Sequence, residues 1–269
     1  MDSLEQNLRD IEEQLQSVQN QTQIEMLFAQ QANELFEKNL LAFKQYFPDI
    51  YEKFVAFEPS DKFQLLVNTN GSANIIDYDT GVPMYGESPD EQVDSQVQAT
   101  FEQPTFSNVD YSFVEHLDND DDFIHTDLVI SLGKVYNKAK NALSQNTVVK
   151  GKFPGCIIFG VGLGFHLNKL LNEIDAAFIN IFEPNEDYFY GSLFCFDWAD
   201  YLARIDKNGS YLYLSIGVSE DETYRTLFER VESFGPFGIS NAFLYQHYPS
   251  MNMDKVIQKL IANYHQFFM

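Results

Sequence analysis

Cys156-Ile157-Ile158-Phe159-Gly160-Val161-Gly162-Leu163-Gly164-Phe165-His166 is an apolar run that enters a glycine-rich turn and leaves it as the start of an amphipathic segment. It reads as a buried strand, a tight turn and a helix from Phe165 to Glu173. Glycines at such a turn let the backbone bend sharply and approach a ligand, and the helix N-terminus beyond them offers unpaired N–H groups to an anion.

The same alternation continues downstream. Ala177 to Phe182 is a second apolar strand, followed by a helix from Glu186 to Phe196. Tyr211 to Ser215 is a third strand with a helix from Asp221 to Phe234, and Ala242 to Tyr245 a fourth with a closing helix from Met253 to Phe267. Short, continuously apolar strands alternating with helices imply an α/β fold, a mostly parallel Rossmann-like sheet covered on both faces, over residues 153–269. Gly151 and Pro154 mark its boundary.

Upstream of that boundary the pattern differs. The first Pro is Pro48 and the first Gly is Gly71, so nothing before residue 48 breaks a helix. Ser3-Leu4-Glu5-Gln6 reads as a capping box. Leu4, Leu8, Ile11, Leu15 and Val18 then follow a 4-3-4-3 spacing, a narrow seam that either packs on the body of this chain or pairs with another copy of it. A second helix is predicted from Met26 to Tyr46 and a short one from Ile50 to Phe57, giving an all-helical region 1–60. In residues 61–152, Phe63 to Val67, Ala73 to Tyr78 and a short strand near Val82 to Tyr85 form a small β-meander with turns at Asn68-Thr69-Asn70-Gly71 and Asp79-Thr80-Gly81. Helices from Asp90 to Phe101 and Thr126 to Leu143 follow, joined by a polar connection.

Composition narrows the function classes. In 269 residues, 17 Lys and Arg stand against 40 Asp and Glu, a formal charge of −23. Such a surface repels phosphate backbones and anionic leaflets, which argues against nucleic-acid and membrane partners. Hydrophobic residues at 45% argue for a folded core rather than an acidic disordered chain. Cys156 and Cys195 are too few for a disulfide framework and read as buried free thiols in a reducing compartment. The acidic start Met1-Asp2-Ser3-Leu4-Glu5 lacks a secretory signal's basic and apolar regions, and no run matches a membrane helix, so the expected location is the cytoplasm.

Candidate chemistry centres on the glycine turn. Its Gly-x-Gly-x-Gly spacing is that of many S-adenosylmethionine-dependent methyltransferases rather than the dinucleotide Gly-x-Gly-x-x-Gly. The next strand ends at Glu183, 19 residues past Gly164, where a carboxylate usually holds a ribose diol. Gly160, Gly162, Gly164, His166 and Glu183 are therefore the candidate ligand crevice, for a nucleotide or nucleoside. The packing alternative is that the glycines serve close contact, Glu183-Pro184 ends a strand and His166 fills a helix terminus. No acidic residue precedes the glycines on the first strand, which departs from the methyltransferase pattern. Asp77-Tyr78-Asp79 resembles a metal-binding Asp-x-Asp, but it runs into hairpin chemistry and alternate strand residues face opposite ways. The run Asp118-Asn119-Asp120-Asp121-Asp122 lacks the Gly and distal Glu of a calcium loop, so no metal site is expected.

Several segments together resemble a family. Phe159 to His166, Phe182-Glu183-Pro184 and Asp197-Trp198, with Asn39-Leu40-Leu41-Ala42-Phe43, the Leu65-to-Tyr85 meander and Tyr85-Gly86-Glu87-Ser88-Pro89, are similar to the amino-terminal region of the Maf proteins, motility-associated factors that modify bacterial flagellin. The resemblance implies a part in transferring nonulosonic acids of the pseudaminic or legionaminic type from a CMP-activated donor to flagellin Ser or Thr. It also implies a second, sialyltransferase-like domain holding the chemistry. No such domain is read in these residues, so the sequence is expected to be either a fragment of a longer protein or a stand-alone module, with an accessory role in recognising flagellin. The alternative is a stand-alone methyltransferase-like enzyme using the crevice with S-adenosylmethionine.

Overall fold

The computed structural model describes residues 2–79, 81–107, 123–142, 151–235, 238–239 and 242–262. The chain opens with one helix, α1 (Asp2–Tyr46), where the sequence predicted two. With no Pro or Gly inside it, the backbone has no reason to stop. What changes near residue 20 is the face in contact, since residues 9 to 20 are exposed throughout and a buried stripe through Ala32, Asn39, Leu40 and Phe43 appears only later. The helix starts ahead of Ser3, so Ser3 is not its cap. α2 (Pro48–Phe54) uses Pro48 in its first turn, where a missing N–H costs nothing.

The meander is observed as predicted. β1 (Phe63–Val67) pairs antiparallel with β2 (Ala73–Asp77), and β2 with the two-residue β3 (Val82–Pro83). α3 (Pro89–Glu102) follows, then a two-residue strand β4 (Thr105–Phe106) that the sequence did not reveal, and α4 (Ile124–Ala142). The Asp118 to Asp122 run, Leu143 and the end of the closing helix lie outside the described residues.

Five strands build the main sheet in the order β4-β8-β5-β6-β7. β5 (Gly151–Phe159) runs straight through Pro154 and pairs in parallel with both β6 (Ile174–Glu183) and β8 (Phe243–Gln246). β6 pairs in parallel with β7 (Tyr211–Ile216), while β4 alone is antiparallel, along β8. The fold is α/β, Rossmann-like and mostly parallel, as expected. Strand alternation sends Cys156, Ile158, Ile179, Ile181, Phe243 and Tyr245 to one face and Ile157, Phe159, Phe182 and Leu244 to the other. α5 (Phe165–Glu173), α6 (Glu186–Ser192) and α7 (Trp198–Asn208) cover the first face, and α8 (Glu220–Phe234) and α9 (Met251–Ala262) the second.

α7 is an addition to the sequence reading, which ran the preceding helix to Phe196 and stopped. Asp197 caps it by accepting the Asp200 N–H, and Gly209 ends it. Its first residue, Trp198, is fully buried among Phe43, Phe189, Phe196 and Tyr201, with its indole N–H on the Ser192 hydroxyl at 2.9 Å. Asn39 is equally buried. Its amide donates to the Leu193 and Phe196 carbonyls at 2.8 Å each and accepts the Ala199 N–H, stitching α1 to the α6–α7 joint. Cys156 and Cys195 are free thiols in the same core.

Candidate functional site

Chain order runs from β5 through β6 to β7 on one side and returns to place β8 on the other. The carboxyl ends of β5 and β8 are thus a topological switch point, where open α/β sheets bind ligands. The glycine turn leaves β5 here, and His247 and Tyr248 leave β8 beside it.

Every backbone N–H from Gly160 to Gly164 is satisfied inside the protein. Glu183 Oε2 accepts those of Val161 at 2.7 Å and Gly162 at 3.1 Å. The Leu163 N–H donates to the Tyr85 hydroxyl at 3.1 Å, and those of Gly160 and Gly164 to the Phe182 and Val161 carbonyls. Glu183 is fully buried; its Oε1 accepts the Asn185 N–H and the Tyr248 hydroxyl. Burial raises its pKa, opposed by these same hydrogen bonds. Its carboxylate thus faces the turn rather than an open ribose pocket.

The glycines admit this packing. All three have positive φ, at 89°, 52° and 83°. A Cβ on Gly162 would lie 2.6 Å from the Tyr85 hydroxyl, and one on Gly164 2.7 Å from the Phe196 ring. Tyr85, brought in by the meander, and Tyr248 therefore stand where a ligand would approach the backbone.

His166, the first-turn residue of α5, is fully buried and stacks on His247 with ring centroids 3.9 Å apart, and on Tyr245 at 5.1 Å. Neither of its ring nitrogens makes a hydrogen bond of normal geometry. Burial, then the adjacent His247, push its pKa well below the usual range, against an opposing pull from the Gly160 backbone. His247 Nε2 lies 2.7 Å from the Tyr85 hydroxyl, and burial lowers its pKa to about 3. Both imidazoles are neutral at pH 7.

The structure thus brings all five sequence candidates to one place, Gly160, Gly162, Gly164, His166 and Glu183, and adds Tyr85, His247 and Tyr248. The added residues come from the meander and from the end of the fourth Rossmann-like strand; only the switch-point position of that strand marks them. The Asp-x-Asp pair is apart from this cluster in its bonding: Asp79 pairs with Lys62, and Asp77 accepts the Asp79 N–H and the Tyr188 hydroxyl. Among the described residues no group of three or more His, Cys, Asp or Glu is placed to hold a metal ion, and no helix is long and apolar enough to cross a membrane.

No curated protein sequence matches the chain. Among solved structures, the Maf glycosyltransferase from Magnetospirillum magneticum AMB-1 has the same fold over 88% of this chain, with a TM-score of 0.63 and 21% identity; the chain spans 36% of that protein's length. The family described as the glycosyltransferase Maf N-terminal domain matches residues 35–269, from the last quarter of α1 through the whole sheet, and the chain belongs to that family.

Proposed function

We propose that this chain serves flagellin O-glycosylation as a cytoplasmic recognition and assembly domain, with transfer of the nonulosonic acid carried out by a part of a longer Maf protein outside these residues. The observation that carries the reading is the closed crevice: within a Maf N-terminal domain, the turn that would cradle a nucleotide has its N–H groups bonded to Glu183 and Tyr85 and to backbone carbonyls. A CMP-sugar phosphate meets no free donors at this turn, and the side chains gathered around it, Tyr85, His166, Glu183, His247 and Tyr248, include no Lys or Arg.

The test has two arms. Intact-mass analysis of flagellin from cells lacking the chain is expected to show loss of the sugar increment, and restored mass on complementation. Titration calorimetry of the purified chain with CMP and with S-adenosylhomocysteine is expected to give no heat. Unchanged flagellin mass would overturn the flagellin role. Heat with CMP would place donor binding in the crevice, and heat with S-adenosylhomocysteine would restore the methyltransferase-like alternative.

A further inference from the structure

The first half of α1 carries an apolar seam that faces away from the body. Gln21, Ile24, Phe28, Ala32, Asn39 and Phe43 form the stripe turned inward: the Gln21 amide donates to the Val67 carbonyl at 2.9 Å, Phe28 packs on the core, and Ala32, Asn39 and Phe43 are buried. At 3.6 residues per turn, the line Leu4, Leu8, Ile11, Leu15, Val18 lies roughly 100° round the helix from that stripe. In the same frame the next two positions are Thr22 and Glu25, so the apolar seam runs from Leu4 to Val18. Ile11, Leu15 and Val18 are 52%, 58% and 64% exposed. Among the described residues, intrachain packing, one of the two readings of this seam, therefore does not cover them.

Flanking charge selects the occupant. With Leu8 and Leu15 at a positions and Leu4, Ile11 and Val18 at d, the g positions are Asn7, Gln14 and Gln21 and the e positions Glu5, Glu12 and Gln19. In a parallel pairing of identical helices, g meets the next e of the partner, so Asn7 faces Glu12 and Gln14 faces Gln19. From Leu4 to Val18 no like charges meet, in a chain of net charge −23; beyond it Glu25 would face its own copy at the next d position, which limits the pairing to that stretch. Antiparallel pairing sets e against e and opposes Glu5 and Glu12. Asp10 and Glu13 point outward in either case.

We infer that the chain self-associates in parallel through the Leu4-to-Val18 seam of α1, a second copy covering the exposed face. This inference stands independently of the flagellin reading, since the whole seam precedes residue 35, where the family match begins. The apolar face of α4, with Ile124, Leu128 and Leu132 each more than 60% exposed, is the competing surface for the seam.

Sedimentation equilibrium of the full chain at micromolar concentration is expected to give a mass of two or more copies of 31.0 kDa. Leu15→Asp is expected to shift it to one copy with the circular-dichroism spectrum of a folded protein, because Leu15 is 58% exposed and lies in the stretch of α1 that is exposed throughout. Leu27→Asp, equally exposed but on the other side of α1, is expected to leave the mass unchanged. Under mild oxidation, Leu4→Cys is expected to cross-link between copies, as only a parallel arrangement brings the two positions together. A single-copy mass for the unaltered chain overturns the inference. So does a multi-copy mass without the Leu4→Cys cross-link, which would assign the seam to α4 or to an antiparallel pair.

Discussion

Glu183 Oε2 accepts the Val161 N–H at 2.7 Å, so the acid at the tip of β6 closes the turn at the end of β5. Two neighbouring parallel strands are thereby locked at their carboxyl ends by one side chain. Glu183→Ala would leave the N–H groups of Val161, Gly162 and Asn185 and the Tyr248 hydroxyl without this acceptor. An unsatisfied buried donor costs about 1–3 kcal/mol, so a loss of about 3 kcal/mol or more is expected. Urea unfolding measures it, and an unchanged midpoint would show that the carboxylate is dispensable to the fold.

The stacked histidines set an acid limit. Both have folded pKa values below their ordinary 6.5, His247 at about 3. Their contribution to stability is complete above the unfolded value and is lost as pH falls toward the folded one, because the unfolded chain takes up protons that the native core refuses. Each adds a slope of up to about 1.4 kcal/mol per pH unit below about pH 6.5. Glu183, raised from 4.5, acts in the opposite sense: its contribution is full below that value and is lost as pH rises through the folded one. His166→Phe keeps a ring in the stack and removes one titrating group. Its unfolding free energy, measured from pH 7 to pH 5, is expected to fall less steeply than that of the unaltered protein.

Gly164 and Gly209 make a matched comparison, with φ of 83° and 70°. A Cβ at Gly164 meets Phe196 Cβ at 2.8 Å, whereas one at Gly209 meets nothing within 4 Å. Gly209→Ala is expected to cost about 1 kcal/mol for the left-handed backbone alone. Gly164→Ala adds overpacking of about 1–3 kcal/mol. Equal melting temperatures for the two variants would remove the close-packing account of the turn.

Asn39→Ala deletes the three hydrogen bonds that hold α1 to the α6–α7 joint and takes this donor from the Leu193 carbonyl and this acceptor from the Ala199 N–H, while the Phe196 carbonyl keeps the Trp198 N–H. A loss of about 2–4 kcal/mol is expected, with earlier proteolytic cleavage in the 193–199 segment. Asn39→Asp should be at least as damaging, because it turns a carboxylate toward the carbonyls of Leu193 and Phe196.

Much of this was legible in the sequence because the signals were local. The strand from Cys156, the glycine turn, the meander and the helix beginning at Phe165 follow from composition and spacing within a dozen residues. The division of α1 into two helices failed for a physical reason: its apolar stripe moves to another face near residue 20 without a break in the backbone. α7 was missed although its signal is local: Trp198, Tyr201, Leu202 and Ile205 fall at i, i+3, i+4 and i+7 between the cap Asp197 and the stop Gly209. In the crevice, Glu183 was located correctly at its strand tip. Its bonds to Val161 and Gly162, however, depend on the depth of the turn, and the roles of Tyr85 and His247 depend on long-range strand order.

Tyr85 gives the meander a spectroscopic voice. Its hydroxyl sits between the Leu163 amide and His247, so a fluctuation that lifts the meander away exposes that amide to solvent. The exchange rate of the Leu163 proton should therefore report how firmly the small antiparallel sheet is seated on the large one. A ligand or partner engaging the meander would then be detectable as slowed deuterium uptake at Leu163, at a distance from the contact itself.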